Sequence, residues 1–325
     1  MNFTGIFIEN FKDDNVSLRV WSWVLAQASK MNSLFGDHGG WKEMNNTKLM
    51  AIAMLAVVGA TANAQSIFNY SVNGGGYSQN FNTLNASSSV AWSNNPSFPF
   101  SGMTGWSAWR AGSAGISGSR DATSANNTAI VASDGGSNTG ALYSFGSTGS
   151  SDRALGNVGS GTPGDFLFVL ALKNTTGDTL TQFTLGYEME QWRNGGNASA
   201  QSMIFDYKDL NSASIAFTDT DANGAGFTSP GGAFDGASVV NTSTAAAVNG
   251  NVAGLVSGRG GTITGLNWAN GDVLLLRWWD DNNQGNDHGL SIDNVTFSAV
   301  PEPGTMVALS LGLAAMARRR KANKA

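Results

Sequence analysis

Phe183-Thr184-Leu185-Gly186-Tyr187-Glu188-Met189-Glu190 alternates apolar and polar residues without a slip. A period of two places the odd positions on one face of a strand and the even positions on the other. Phe183, Leu185, Tyr187 and Met189 are therefore expected to face a core, with Thr184, Glu188 and Glu190 facing away from it. Gln201–Lys208 repeats the alternation with Met203, Phe205 and Tyr207. Phe166–Leu172 and Val273–Leu276 are apolar at every position, as expected of strands covered on both faces. Gly/Ser-rich turns such as Ser113–Ser119 and Gly135–Gly140 punctuate the chain, which holds 42 glycines. No repeat of 20–50 residues is apparent, so a solenoid or propeller is not expected. The expected fold class is all-β, a jelly-roll-like β-sandwich over residues 65–299.

Composition narrows the function classes. The 325 residues are 41% hydrophobic, enough to bury a core, and only 13% charged. Residues 65–300 hold 17 Asp and Glu against 8 Lys and Arg, a net of 8 − 17 = −9. An acidic body without basic clusters is a poor partner for nucleic acid. The chain has no cysteine and two histidines, His38 and His288, which excludes disulfides, thiolate nucleophiles and Cys-ligated zinc.

Both ends read as addresses. From Met44, Lys48 precedes the apolar run Leu49–Val58, and Ala62-Asn63-Ala64 follows. A basic start, a short apolar run and an A-x-A end make a secretory signal peptide over residues 44–64, a signal helix cut by signal peptidase between Ala64 and Gln65. Residues 1–43 carry Glu9, Asp13, Asp14, Asp37 and Glu43 ahead of that signal, which fits a start codon placed too early. At the other end, Val300-Pro301-Glu302-Pro303 leads into the apolar Met306–Ala317 and then Arg318-Arg319-Arg320-Lys321. As a helix, twelve residues reach about 18 Å, short of the ~30 Å hydrocarbon core. The basic cluster holds its own end in the cytoplasm and leaves the glycine-rich body outside.

A motif, a short membrane helix and a basic stop, in that order, form a tail made to be recognised and cut. Residues 300–325 resemble the PEP-CTERM sorting tail. The resemblance implies processing by an exosortase-type enzyme in a Gram-negative bacterium, an inner-membrane intermediate, and delivery to the cell surface or an extracellular matrix rich in exopolysaccharide. Three body segments are similar to ones that recur in exported proteins of this group: Ser151–Gly156, Glu190–Arg193, and Arg277–Asp280 through Asp287–Asp293. That likeness spans roughly Gly140–Phe297 and implies no particular activity.

Four constellations carry candidate chemistry. Glu188 and Glu190 share a strand face with Cα atoms ~6.6 Å apart, near the spacing of glycosidase carboxylate pairs. Jelly-roll glucanases place a further glutamate just beyond such a pair, whereas here Gln191, Trp192 and Arg193 follow, and surface ion pairing with Arg193 is the simpler expectation. Asp280, Asp281, Asn283, Asp287 and Asp293 offer hard oxygen ligands for a structural calcium, the one cofactor expected; Asp219-x-Asp221-x-Asn223-Gly224 begins like a calcium loop but has Pro230 where the final glutamate belongs. His288 lies close to Ser291 and Asp293, but no nucleophile elbow is present, so it reads as a loop cap and no catalytic residue is assigned. Adjacent Trp278 and Trp279 must point to opposite faces, which offers one of them for stacking on a sugar. The leading expectation is a non-enzymatic surface or matrix protein with polysaccharide as candidate ligand, and the rival is a secreted glycoside hydrolase using Glu188 and Glu190.

Overall fold

A computed structural model describes residues 66–91, 102–110, 129–161, 164–215, 226–280 and 282–302. The expected signal helix, its cleavage site at Ala62, Ala64 and Gln65, residues 1–43, the membrane helix, Pro303 and Arg318–Arg320 lie outside these residues, as do Asp219, Asp221, Asn223 and Asp281. Among the described residues no helix is long and apolar enough to cross a membrane.

The described body is all-β, with about half of its residues in strands and one short 3-10 turn at Gly232–Phe234. Its strands are β1 (Phe68–Tyr70), β2 (Tyr77–Gln79), β3 (Ser89–Ala91), β4 (Trp106–Arg110), β5 (Ala129–Ser133), β6 (Ala141–Phe145), β7 (Ala154–Val158), β8 (Phe166–Asn174), β9 (Leu180–Asn194), β10 (Ser202–Asp209), β11 (Gly236–Ala237), β12 (Ala246–Ala247), β13 (Leu255–Trp268), β14 (Val273–Asp280) and β15 (Gly289–Val300). Six of them form one sheet in the order β1-β8-β14-β10-β11, with β4 also on β8. Nine form the other in the order β12-β9-β15-β7-β6-β5-β3, with β13 on β9 and β2 on β15. Pairings are antiparallel except β1 with β8 and β5 with β6.

The two sheets bury one main core between them. Phe183, Leu185, Tyr187 and Met189 of β9 all enter it, as the alternation requires, and so do Met203 and Phe205 of β10. Phe166, Phe168, Leu170 and Leu172 of β8 join them, while the intervening Leu167, Val169 and Ala171 pack in a second cluster on the opposite face. In β14, Leu274 and Leu276 belong to the core, and Val273 and Leu275 to the outer cluster. The uniformly apolar runs are thus covered on both sides within a mostly antiparallel sheet. Trp278 centres the core aromatics, stacked on Trp106 at 5.5 Å and edge-on to Tyr187 at 5.7 Å; such pairs add about 0.5–1.5 kcal/mol beyond their burial.

β15 does not alternate evenly. Leu290 and Ile292 face the core and then, one residue out of step, Val295, Phe297 and Ala299 do. The register to β9 runs Asp293 to Glu188 and resumes Thr296 to Gly186, so β15 carries an extra residue here. Asn294 absorbs it in the left-handed region with φ 50°, which is how a β-bulge re-aims the side chains beside it.

Candidate metal centre on the outer face of the larger sheet

Glu188 and Glu190 project from β9 on the face away from the core. In an antiparallel pair, directly opposed residues share a face, so Asp293, opposite Glu188, and Ser291, opposite Glu190, point the same way. Glu188, Glu190 and Asp293 each offer a carboxylate oxygen, and these oxygens lie within 4.8 Å of one another. Among the described residues this is the one place where three potential metal-ligating side chains meet so closely.

The surroundings orient these acids without neutralising them. The Trp192 indole donates to Glu190 Oε2 at 2.7 Å, and Asn294 Nδ2, on the bulge, donates to Glu188 Oε2 at 2.7 Å. Glu190 and Asp293 are each only 2% exposed. The Oδ1 atom of Asp293 is buried without a hydrogen-bond partner. Burial pushes the Glu190 carboxyl up to about 7, with the charges of Asp152 and Glu188 adding to the rise. Burial pushes Asp293 up to about 8 against the lowering effect of the Asn294 backbone N–H, with Glu190, Asp152 and Glu188 adding to the rise. Among the described residues, the charges acting on this pair are thus all negative.

The burial comes from a cap over the outer face. Trp192 packs with Tyr143, Phe145, Ala154 and Val158 in a third apolar cluster, lying parallel to Phe145 with centroids 6.2 Å apart. Gly250 lies on the indole, where a Cβ would collide with Nε1. Gly135, at φ 92°, comes as close to the Trp192 carbonyl. Arg193 does not pair with the glutamates; its Nη1 donates to the carbonyls of Gly135 and Gly136 at 3.0 and 3.1 Å and fixes that edge of the cap.

The Asx-rich loop is built differently. Asp287 Oδ1 accepts from the Asn283 backbone N–H at 2.8 Å, Asp280 Oδ2 accepts from Asn157 Nδ2 at 2.6 Å, and Asp165 Oδ1 accepts from the Asn282 N–H at 2.8 Å. Asp293 stands with the glutamates of β9, and Asp280 and Asp287 are not members of that cluster. His288 is fully buried. Its Nδ1 accepts from the Gly195 N–H at 2.9 Å and its Nε2 faces the Ser199 carbonyl at 3.3 Å, so the ring clips the 195–199 turn. Ser291 Oγ donates to the Glu190 carbonyl at 3.1 Å. Trp106, Trp109, Trp192, Trp268 and Trp278 are all buried, while Trp279 packs half-buried on the outer cluster of the smaller sheet. Of the pair Trp278 and Trp279, only Trp279 keeps part of its surface exposed.

The sequence reading separated Asp293 from the glutamates because they meet only through strand pairing. One signal was present: apolar positions run 290, 292, 295, 297, 299, and the single step of three marks the bulge beside the cluster.

At its far end β15 runs into the tail. Val300 still pairs with Gln182. The Ala299 N–H donates to Tyr70 Oη at 2.8 Å, and its carbonyl accepts from the Gly74 N–H at 2.8 Å. Pro301 is half-buried and Glu302 exposed. Residues 299–321 match the PEP-CTERM protein-sorting motif. This chain carries that sorting signal. The PEP-CTERM tail marks an exported, membrane-processed protein recognised by an exosortase.

No curated protein matches the chain in sequence. Solved structures with partial likeness include the Arthrobacter globiformis T6 isomalto-dextranase complexed with panose, at 10% identity over 71% of this chain and 34% of that one, with a TM-score of 0.26. They include a family 11 carbohydrate-binding module from Clostridium thermocellum, in complex with a mixed-linked tetrasaccharide, at 11% identity over 67% and 100%, TM-score 0.24. The K1 adhesin domain of Lys-gingipain from Porphyromonas gingivalis W83 matches at 14% over 70% and 99%, TM-score 0.22. The chain spans about a third of the length of the first of these. Scores this low carry no functional argument.

Proposed function

We propose that this protein is a non-enzymatic β-sandwich which an exosortase-type enzyme delivers to the surface or extracellular matrix of a Gram-negative bacterium. The observation that carries this reading is the continuity of β15 with the motif: the sorting signal begins within a paired strand, and Glu302 emerges exposed two residues beyond it. The prolines on either side of Glu302 cannot donate backbone hydrogen bonds and hold the peptide extended. Signal peptidase, acting at Ala64–Gln65, provides entry to the export route. In a chain tagged in the body and again after Ala325, wild type loses the distal tag. Pro301→Ala with Pro303→Ala, and separately Glu302→Gln, keep it and accumulate in the inner membrane. Motif variants that shed the distal tag as fast as wild type would show that the tail is an ordinary anchor.

Exopolysaccharide is the ligand we favour. A groove of about 430 Å³ is lined by Ser78, Gln79, Asn80, Thr83, Asn294 and Thr296 among others. These neutral amides and hydroxyls suit sugar hydroxyls better than a charged partner. The glutamates of the hydrolase reading do not line it. Asn80→Ala with Thr296→Ala is expected to abolish retention on the producer's own polysaccharide. Reducing sugar released by wild type but not by Glu190→Gln would instead establish the hydrolase. The wiring also supports an elaborated jelly roll, since from β7 to β10 and again from β13 to β15 the chain alternates between the two sheets.

A further inference from the structure

We propose that Glu188, Glu190 and Asp293 form a binding site for a hard divalent cation, with calcium as its ion, that clamps β9 to β15.

Like charges directly opposite one another across a strand pair are destabilising, yet Asp293 is set opposite Glu188, with Glu190 within reach of both. Burial then removes the water that would screen them, and an uncompensated buried charge costs several kcal/mol. A divalent ion offsets both costs at once, because each oxygen now faces positive charge. The buried Asp293 Oδ1, which no hydrogen bond satisfies, is the second and independent sign of a missing ligand. Most buried side-chain polar atoms in folded proteins have a hydrogen-bond partner.

The donor chemistry selects the class of ion. All three side chains offer oxygen, the chain has no cysteine, and both ring nitrogens of His288 are turned to Gly195 and Ser199. An all-carboxylate set suits calcium, which accepts irregular oxygen shells, rather than zinc or copper. Glu188 is only half-buried, so water can complete the shell from that side. The hydrogen bonds from Trp192 and Asn294 each occupy one oxygen of a glutamate, Oε2, and hold the carboxylate in place for its other oxygen to bind. Such supporting bonds are the usual second layer of a metal site. Strand β15 thus reaches the ion through a residue beside the bulge, whose left-handed Asn294 also holds Glu188.

The site differs from the Asx-rich loop, and the experiment separates them. With the purified full-length chain, calcium chloride at a hundredfold excess over its dissociation constant should raise Tm by about 5–10 °C, and chelator should reverse it. Asp293→Asn and Glu190→Gln should each weaken calcium at least tenfold while melting no lower than wild type in chelator, since each amide replaces an acid whose charge its neighbours disfavour. Asp287→Asn should leave calcium affinity unchanged. Terbium provides a reading that needs no carboxylate variant. Because the Trp192 indole touches Glu190, exciting tryptophan should give terbium emission that calcium competes away, and Trp192→Phe should remove most of it. A wild-type protein with neither a calcium shift nor terbium emission overturns the proposal. So does a calcium response that Asp287→Asn abolishes and Asp293→Asn preserves, or terbium emission that Trp192→Phe leaves intact.

Discussion

Asp206 on β10 and Asp293 on β15 occupy equivalent situations. Each is buried on the outer face of a sheet, and each lies directly opposite a charged residue of the neighbouring strand. Opposite Asp206 stands Arg277, whose Nε and Nη2 reach its two oxygens at 2.7 and 2.5 Å. The guanidinium also lies over the Phe227 ring at 3.7 Å. Opposite Asp293 stands Glu188. The smaller sheet closes its acid with a side chain supplied by the fold, whereas the larger sheet gathers three acids and, among the described residues, sets no cation against them. Two placements with the same backbone logic therefore serve different ends: one is complete within the chain, and the other is completed from solution.

Removing the guanidinium gives the sharpest contrast. Arg277→Met leaves Asp206 buried without its counter-charge and is expected to cost about 3–5 kcal/mol in denaturant unfolding. Replacing both partners, Asp206→Leu with Arg277→Met, should recover most of that loss, because no unpaired charge remains. If Arg277→Met costs less than about 1 kcal/mol, the two sites do not differ in the way described.

The effect of pH is expected to be smaller, and it belongs to the larger sheet. Glu190 and Asp293 titrate in the folded protein near 7 and 8, above their ordinary values, with Glu188 and Asp152 the other charges acting on them. Between about pH 5 and 8 the folded state therefore holds protons that the unfolded chain has released. Stability in chelator should fall as pH rises through that window, with a slope approaching 1.4 kcal/mol per pH unit for each proton. Calcium should flatten the slope, because it keeps both carboxylates ionised in the folded state. A flat profile in chelator would remove the contrast with Asp206.

Much of the sandwich was legible because burial follows period. The alternation of β9 and β10, and the unbroken apolar runs of β8 and β14, are local patterns that translate directly into faces. The acidic cluster was half legible: Glu188 and Glu190 share a face by spacing alone, but Asp293 joins them through a register set more than a hundred residues away. Counting Asx residues along the chain drew Asp293 toward the 280–287 loop, where Asp280 accepts from Asn157 and Asp287 from the Asn283 N–H. The burial of most tryptophans was illegible for a related reason. Composition shows their number but not the loops over the outer face, and Trp192 is hidden by glycines at 135 and 250 that have no apolar signature of their own.

β15 pairs with β9, β7 and β2, and the same strand continues into the sorting motif. Whatever holds the tail at the envelope therefore pulls along the axis of an interior strand. Such a load falls on the hydrogen bonds of both flanking strands together, in shear, and they must fail as a group. A tail hung from an edge strand would instead peel away one bond at a time. The attachment point is thus expected to resist a pull better than an edge strand would.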